Sequence, residues 1–468
     1  MWKPSATKSE NPRQWGRARK GPSPRQAGET LLDSGAEENL PLDAPSDRWS
    51  WVERRVWTKR MLCALEKGVK GGKWFSLMDK VYSPENLSAG FARVKKNRGA
   101  AGVDGQTIDV FTQREARYLD DLRRSLKEGT YAPLPARRCW IDKPGSAVKR
   151  PLGIPAVRDR VVQTASRSVL EPIFEIDFSD RSYGFRPGRS ALDAVEEVER
   201  LLATGRTWVV DADLKAFFDT IDHDLLLERI KEKVGDGSVL DLVGRFLKQS
   251  VMDGLENWSS SLGTPQGAVI SPLLSNIFLD PFDKAMAAEG FEMVRYADDF
   301  VLLCRDEAEA ERALASVRSW VEANGLSLHP EKTRIVDACR KEDGGFDFLG
   351  YHFERGMKWP RAKSVKKFKT TIRLWTRRAN ANSLKVIIAK INRALRGWSN
   401  YFRFGFHTVF PKLDGWVRMR LRSIQRERRK GKGRGRGLDH FRWPNAFFDD
   451  LGLYSLTNAE GHQRSRSW

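Results

Sequence analysis

An α+β body followed by an all-helical bundle is the fold class predicted by this 468-residue sequence. Three observations predict it. Residues 97–350 alternate helical periodicity with short runs of Val, Leu, Phe and Tyr that read as strands. Two such runs flank Asp298 across a short polar break, so they pair as a hairpin in an antiparallel sheet with helices on one face. Beyond Arg361 the strand signal stops, and apolar residues recur only at three- and four-residue spacing.

The elements follow in order. Residues 1–48 are rich in Ser, Pro, Gly and charge with few aliphatics, the composition of a disordered segment. Residues 49–96 read as a helical extension anchored by Val56, Met61, Leu65, Trp74, Leu77, Met78 and Val81, and divided at Gly71-Gly72. Within 97–355, residues 170–174 and 193–202 read as helices and 207–210 as a strand. Three helices fill 361–430. The first is capped by Ser364 and buries Val365, Phe368, Ile372 and Trp375. The second carries Leu384, Ile387, Ile388, Ile391, Leu395 and Trp398, and the third Leu413, Trp416, Val417, Leu421 and Ile424. Residues 431–468 form a basic Gly/Arg tail and a C-terminal docking segment. The stretch 426–437 reads as a flexible arm, and the aromatics of 443–448 dock back on the body.

Charge narrows the partners. From Arg361 to Trp443 there are 25 Lys and Arg against Asp414, Glu427 and Asp439, a surplus of 22. The whole chain carries +21, which leaves the remainder at −1. A block this concentrated fits a polyanion, bound in a salt-sensitive and largely sequence-independent way. No run has the apolar length of a membrane span, and the opening residues lack the apolar core of a secretory signal. Cys63, Cys139, Cys304 and Cys339 are scattered, which fits a reducing compartment and excludes a Cys-based zinc module. The six histidines show no metal-ligand spacing, and His223 reads as a structural polar contact.

The chemistry is carried by acids. Asp298 and Asp299 sit side by side at the waist of the apolar hairpin, where mutual repulsion and desolvation call for a compensating cation. Hard carboxylate oxygens suit Mg²⁺. The plain alternative is a charged loop tip. In residues 207–222, Asp211 and Asp213 share one strand face, while Asp219 and Asp222 lie around a helix start. Carboxylates from two separated segments are what a two-metal phosphoryl-transfer site requires.

Asp213-Leu-Lys-Ala-Phe-Phe-Asp219, Thr264-Pro-Gln-Gly-Ala-Val-Ile-Ser-Pro272 and Tyr296-Ala-Asp-Asp299 resemble successive motifs of a reverse-transcriptase palm. More narrowly, the chain resembles the bacterial group II intron-encoded reverse transcriptase/maturases, collinearly from about Phe91 to Trp416. Asn97-Arg-Gly-Ala-Ala-Gly-Val-Asp-Gly105 resembles their N-terminal finger motif. Lys149-Arg-Pro-Leu-Gly-Ile-Pro155 and Ser182-Tyr-Gly-Phe-Arg-Pro-Gly-Arg-Ser190 resemble their fingers motifs. Gly325-Leu-Ser-Leu-His-Pro-Glu-Lys-Thr333 and Phe346-Asp-Phe-Leu-Gly-Tyr351 resemble the last palm motifs, and Leu395-Arg-Gly-Trp-Ser-Asn-Tyr-Phe402 the maturase thumb. The resemblance implies a right-hand polymerase, with fingers and palm in 97–355 and a thumb/maturase domain in 361–430.

It also implies roles. Asp213, Asp298 and Asp299 become ligands of two Mg²⁺ ions, with Mn²⁺ the alternative, and Asp299 is the more peripheral. Phe218 becomes the gate against a 2′-hydroxyl and Phe217 a core residue, the reverse assignment being the alternative. Gln266, Arg150 and Lys143 become dNTP contacts, solvated turn positions being the alternative for the two cations. Lys332 becomes a general acid toward pyrophosphate or, equally, a helix-end lysine. Phe348, Leu349, Gly350 and Tyr351 become the primer grip, and Arg393, Arg396, Arg403, Arg418 and Arg422 RNA contacts.

The implied activity is RNA-directed DNA synthesis together with binding of group II intron RNA for splicing and mobility. The partners are that RNA, an RNA template/DNA primer duplex, dNTPs and target DNA, in a bacterial cytoplasm and without a membrane. A splicing-only maturase, or a retron, diversity-generating or CRISPR-associated reverse transcriptase, is the alternative. No Cys-pair or His-Asn-His pattern follows the thumb, so second-strand cleavage is expected from another polypeptide.

Overall fold

The computed structural model describes residues 47–69, 71–142, 149–253, 256–258, 262–264, 267–406 and 408–458. The expected disordered segment falls almost wholly outside them. From residue 47 onward the described chain belongs to one compact unit.

Among the described residues eleven strands form three sheets. β1 (Ala136–Asp142), β2 (Lys149–Ile154), β4 (Val251–Asp253) and β5 (Glu256–Trp258) are ordered β2-β1-β4-β5. β3 (Trp208–Asp213), β6 (Glu292–Tyr296), β7 (Asp299–Cys304) and β8 (Arg334–Asp337) are ordered β6-β7-β3-β8, antiparallel throughout. β9 (Phe346–Phe348), β10 (Tyr351–Glu354) and β11 (Met357–Pro360) make a meander.

The expectation of helices on one face of the sheet is corrected. Helices Ser271–Ala288 and Glu307–Ala323 cover one face, while helix Ala191–Ala203 packs on β6 and β7. Neighbouring positions therefore point into different cores. Val210, Leu302 and Phe300 join the first core, whereas Val209, Val301 and Leu303 join a second that runs on through β9–β11 into the C-terminal helices. The unbroken buried run Phe300–Cys304 is the sequence mark of a strand covered on both sides.

Three long C-terminal helices, Ala362–Trp375, Leu384–Phe402 and Val409–Arg428, are followed by two short ones, Asp439–Arg442 and Asn445–Asp450. Ser364 does not cap the first of them. Arg361 occupies the cap, and the Ser364 hydroxyl, one turn inside, donates to the Gly350 carbonyl at 3.1 Å. Helix His223–Lys231 does follow the side-chain rule, with Asp222 Oδ1 accepting from the Leu225 amide at 2.8 Å. His223 is buried against the Gly263 carbonyl at 2.5 Å, a structural contact as expected.

The Gly/Arg stretch also differs from expectation. Gly435 donates to Ser423 Oγ at 3.0 Å, and a Cβ on it would meet Arg422 at 2.4 Å. Arg426 pairs with Asp439 at 2.7 Å. The glycines let the chain fold back on its own helix. The docking segment behaves as expected, with Trp443 and Phe448 buried.

Candidate active site

Strand register builds the site. β3 and β7 pair so that Asp213 lies directly opposite Asp299, and Asp211 is two residues back on the same face. β6 and β7 are joined by two residues, Ala297 and Asp298, because Tyr296 pairs with Asp299. Ala297 takes φ +60°, the left-handed conformation a primed hairpin turn requires. That conformation costs a non-glycine residue roughly 1–2 kcal/mol, so the turn needs an anchor.

The anchor is a buried guanidinium. Arg295 is 1% exposed and binds Asp283 of helix Ser271–Ala288 through Nε–Oδ1 at 2.6 Å and Nη2–Oδ2 at 2.5 Å. Its Nη1 donates to the Ala297 carbonyl at 2.9 Å and to Asn276 Oδ1 at 3.1 Å. Asn276 Nδ2 donates in turn to the Gly184 carbonyl at 2.8 Å. Gly184 sits so close beneath the turn that a Cβ there would lie 2.2 Å from the Ala297 nitrogen. None of these partners was expected from the sequence. The available signal was a charge inside an apolar strand, Met-Val-Arg-Tyr, and another on an apolar helix, Pro-Phe-Asp.

Electrostatically the site is an excess of negative charge. Burial first, then repulsion from Asp211, Asp213 and Asp298, pushes Asp299 up to about 7. Burial raises Asp211 to about 6, against the pull of Arg334 at 3.3 Å. The Lys332 ammonium contacts the Asp213 carboxylate. Among the described residues no three acidic, His or Cys side chains already gather at one coordination point. The donor set still fits a hard divalent cation, because Asp299 is repelled by Asp213 on the paired strand and by Asp298 in the turn, and carboxylate oxygens are hard ligands.

Of the three acids, Asp299 lines a cavity of about 690 Å³ between sheet and C-terminal helices, together with Tyr296, Leu349, Gly350, Arg361 and Trp398, among others. Phe217 is the buried ring, edge-on to Phe278, and Phe218 is half-buried against the same core. The Phe218 carbonyl accepts from Thr264 at 2.6 Å, and Gly267, at φ +107°, lies against β2, where a Cβ would meet the Gly153 oxygen at 2.6 Å. Gln266 and Lys143 lie outside the described residues. Arg150 is in β2 opposite Ile141, and its side chain is not described.

Several expected contacts are corrected. Phe348 and Tyr351 are fully buried, so their rings are core, and only Leu349 and Gly350 of that group reach the cavity. Arg422 is 2% exposed, donating to the Trp443 carbonyl and Asn445 Oδ1 at 2.8 Å each. It fastens the docking segment and cannot reach RNA. Arg418 is engaged by Asp449 at 3.2 Å. Arg393, Arg396 and Arg403 are exposed.

Comparison with known proteins agrees with this architecture. Residues 141–353 match the family described as reverse transcriptase (RNA-dependent DNA polymerase), and residues 365–443 match the group II intron maturase-specific domain. Protein YkfC of Escherichia coli is 35% identical over 320 residues, 60% of this chain and 83% of its own. The chain belongs to the group II intron-encoded reverse transcriptase/maturases. Within that family it is 38% identical to the group II intron-encoded protein LtrA of Lactococcus lactis over 203 residues, 43% of this chain. That match spans only 33% of LtrA. Among solved structures, a chain of the "Partial Cas6-RT-Cas1--Cas2 complex" is 25% identical over 53% of this chain and 41% of that one, with a TM-score of 0.35. No helix among the described residues is long and apolar enough to cross a membrane.

Proposed function

We propose that this protein synthesises DNA on an RNA template and that its C-terminal helices bind the group II intron RNA that encodes it. The observation that carries the first part is the register of Asp213 opposite Asp299 with Asp298 at the adjoining turn.

In this reading Asp213, Asp298 and Asp299 hold two Mg²⁺ ions, or Mn²⁺. The ions supply charge neutralisation at the attacking and leaving oxygens of an in-line displacement. The protein does the positioning. The anchored turn keeps two of the acids in place through the reaction. Phe218 blocks a 2′-hydroxyl on the incoming sugar, while Gln266, Arg150 and Lys143 meet the dNTP. Leu349 and Gly350 bear on the primer strand. Lys332, paired with Asp213, would be the nearest ammonium able to offer a proton to departing pyrophosphate.

RNA binding rests on the maturase-specific match and on the surplus of 22 positive charges between Arg361 and Trp443. Arg393, Arg396 and Arg403 are its exposed candidates. Intron mobility through target-primed reverse transcription, on a target DNA, would combine both activities in the bacterial cytoplasm.

Primer extension on a poly-rA/oligo-dT substrate with Mg²⁺ tests the polymerase. Asp298→Ala is expected to lower the rate by roughly a thousandfold, the order of a lost transition-state charge contact. Undiminished extension by that variant would remove the reading. Salt-sensitive binding of the intron should survive the same substitution, and its loss there would count against a separate RNA-binding role.

A further inference from the structure

One residue beside the catalytic turn is strained and has no part in the polymerase reading, on which this inference rests. Phe185 holds φ +61°, a conformation that a bulky side chain keeps only when its surroundings over-determine it. They do. Gly184 is pressed against Ala297, and its carbonyl is bound by Asn276. The Tyr183 amide donates to the Arg295 carbonyl at 2.9 Å. On the other side Arg186 is buried, with its Nε 3.0 Å and Nη2 2.8 Å from the Glu175 carboxylate and its Nη1 2.8 Å from the Ser182 carbonyl.

Both neighbours of Phe185 are thus pinned, and Phe185 itself is left 45% exposed. The ring centroid is 6.2 Å from that of Tyr296, the residue before the catalytic turn. A core would take such a ring in. Here the chain accepts backbone strain and holds the ring out, beside Tyr296 and the turn that follows it. A flat apolar face kept in water beside a phosphoryl-transfer site matches one part of a nucleic acid, the face of an unpaired or terminal base pair, and stacking there is indifferent to sequence.

We propose that the Phe185 ring is a stacking platform for a nucleobase of the primer–template held at the catalytic turn. The chemistry is the same whether the template or the primer contributes the base.

Phe185→Gly separates this role from packing, because glycine relaxes the left-handed backbone while removing the ring. The full chain should keep or gain thermal stability, yet bind an RNA/DNA primer–template about tenfold more weakly by fluorescence anisotropy. Phe185→Tyr should bind as the wild type does. Duplexes with one abasic residue, placed either in the template opposite the primer end or at the primer terminus, then identify the source. On the duplex lacking the stacked base, wild type and Phe185→Gly should bind equally. The proposal is overturned if Phe185→Gly binds the intact duplex normally, if it loses the same factor on both abasic duplexes, or if it lowers stability while leaving binding intact. Binding needs no turnover, so a wild type that fails to extend primers would sink the polymerase reading alone.

Discussion

Two turns flank one cavity, through Tyr296 and Asp299 on one side and Leu349 and Gly350 on the other, and they are held by different parts of the fold. The Ala297-Asp298 turn is anchored from the sheet's own core by the Arg295–Asp283 pair. The Leu349-Gly350 turn, also left-handed at φ +47° and +89°, is anchored by the C-terminal helices. Tyr401 Oη donates to the Leu349 carbonyl at 2.6 Å, and the Arg361 amide and Ser364 hydroxyl both donate to the Gly350 carbonyl. A charged, desolvated clamp fixes the acids to the sheet. Neutral hydrogen bonds tie the other turn to the helical bundle, so it travels with whatever that bundle grips.

Breaking the first clamp should have the larger effect. Asp283→Asn leaves the Arg295 charge buried with a neutral partner, a loss of about 3–5 kcal/mol when one member of such a pair is removed. Urea titration should show that loss. The turnover per folded molecule should fall with it, because the Ala297 carbonyl loses a rigid donor. A comparable break at the Lys358–Glu199 pair, 2.5 Å apart, made as Glu199→Gln, should lower stability alone. Equal loss of turnover in both variants would erase the distinction.

Asp299→Asn should act oppositely on stability and on chemistry. The Asp299 carboxyl titrates near 7 in the folded chain, above its ordinary value of 3.8. The folded state therefore binds the extra proton between those values, and stability falls as pH rises through that window. At pH 7.5 without divalent metal, Asp299→Asn should be stabilised by up to about 4 kcal/mol. The gain should vanish toward pH 4, and Mg²⁺ should stabilise only the wild type. A gain that persists at pH 4 would mean that carboxylate repulsion is not its source.

Tyr401→Phe should be the mildest. It removes one hydrogen bond from the second turn, worth about 1 kcal/mol. A several-fold rise in KM for primer–template with kcat unchanged is expected, and a fall in kcat alone would place this turn in the chemistry.

The acids were legible because two periodicities expose them. Alternation along β3 puts Asp211 and Asp213 on one face, and the tight break between two apolar runs puts Asp298 and Asp299 at a hairpin end. Phe217 and Phe218 were not separable from the sequence, because both rings pack on the same core, Phe217 fully and Phe218 in part. The clamp was not legible. Arg295 and Asp283 meet only after a helix and a strand pack together, and neither residue type distinguishes a buried pair from two solvated charges. Arg422 was misread because a helix alone does not reveal what covers it, and here residues 443–448 return over its basic side. Ser364 was misread as a cap because its actual acceptor, the Gly350 carbonyl, belongs to another element.

The second core has a consequence for where this protein can be divided. Val209, Val301 and Leu303 on the sheet share it with Phe368, Ile391 and Leu421 on the C-terminal helices. A chain truncated after Glu354 would leave that sheet surface wet and greasy, ready to aggregate. Swapping the RNA-gripping half for that of a relative would likewise mean regrafting the interior beneath the sheet, so the two halves are constrained to change together.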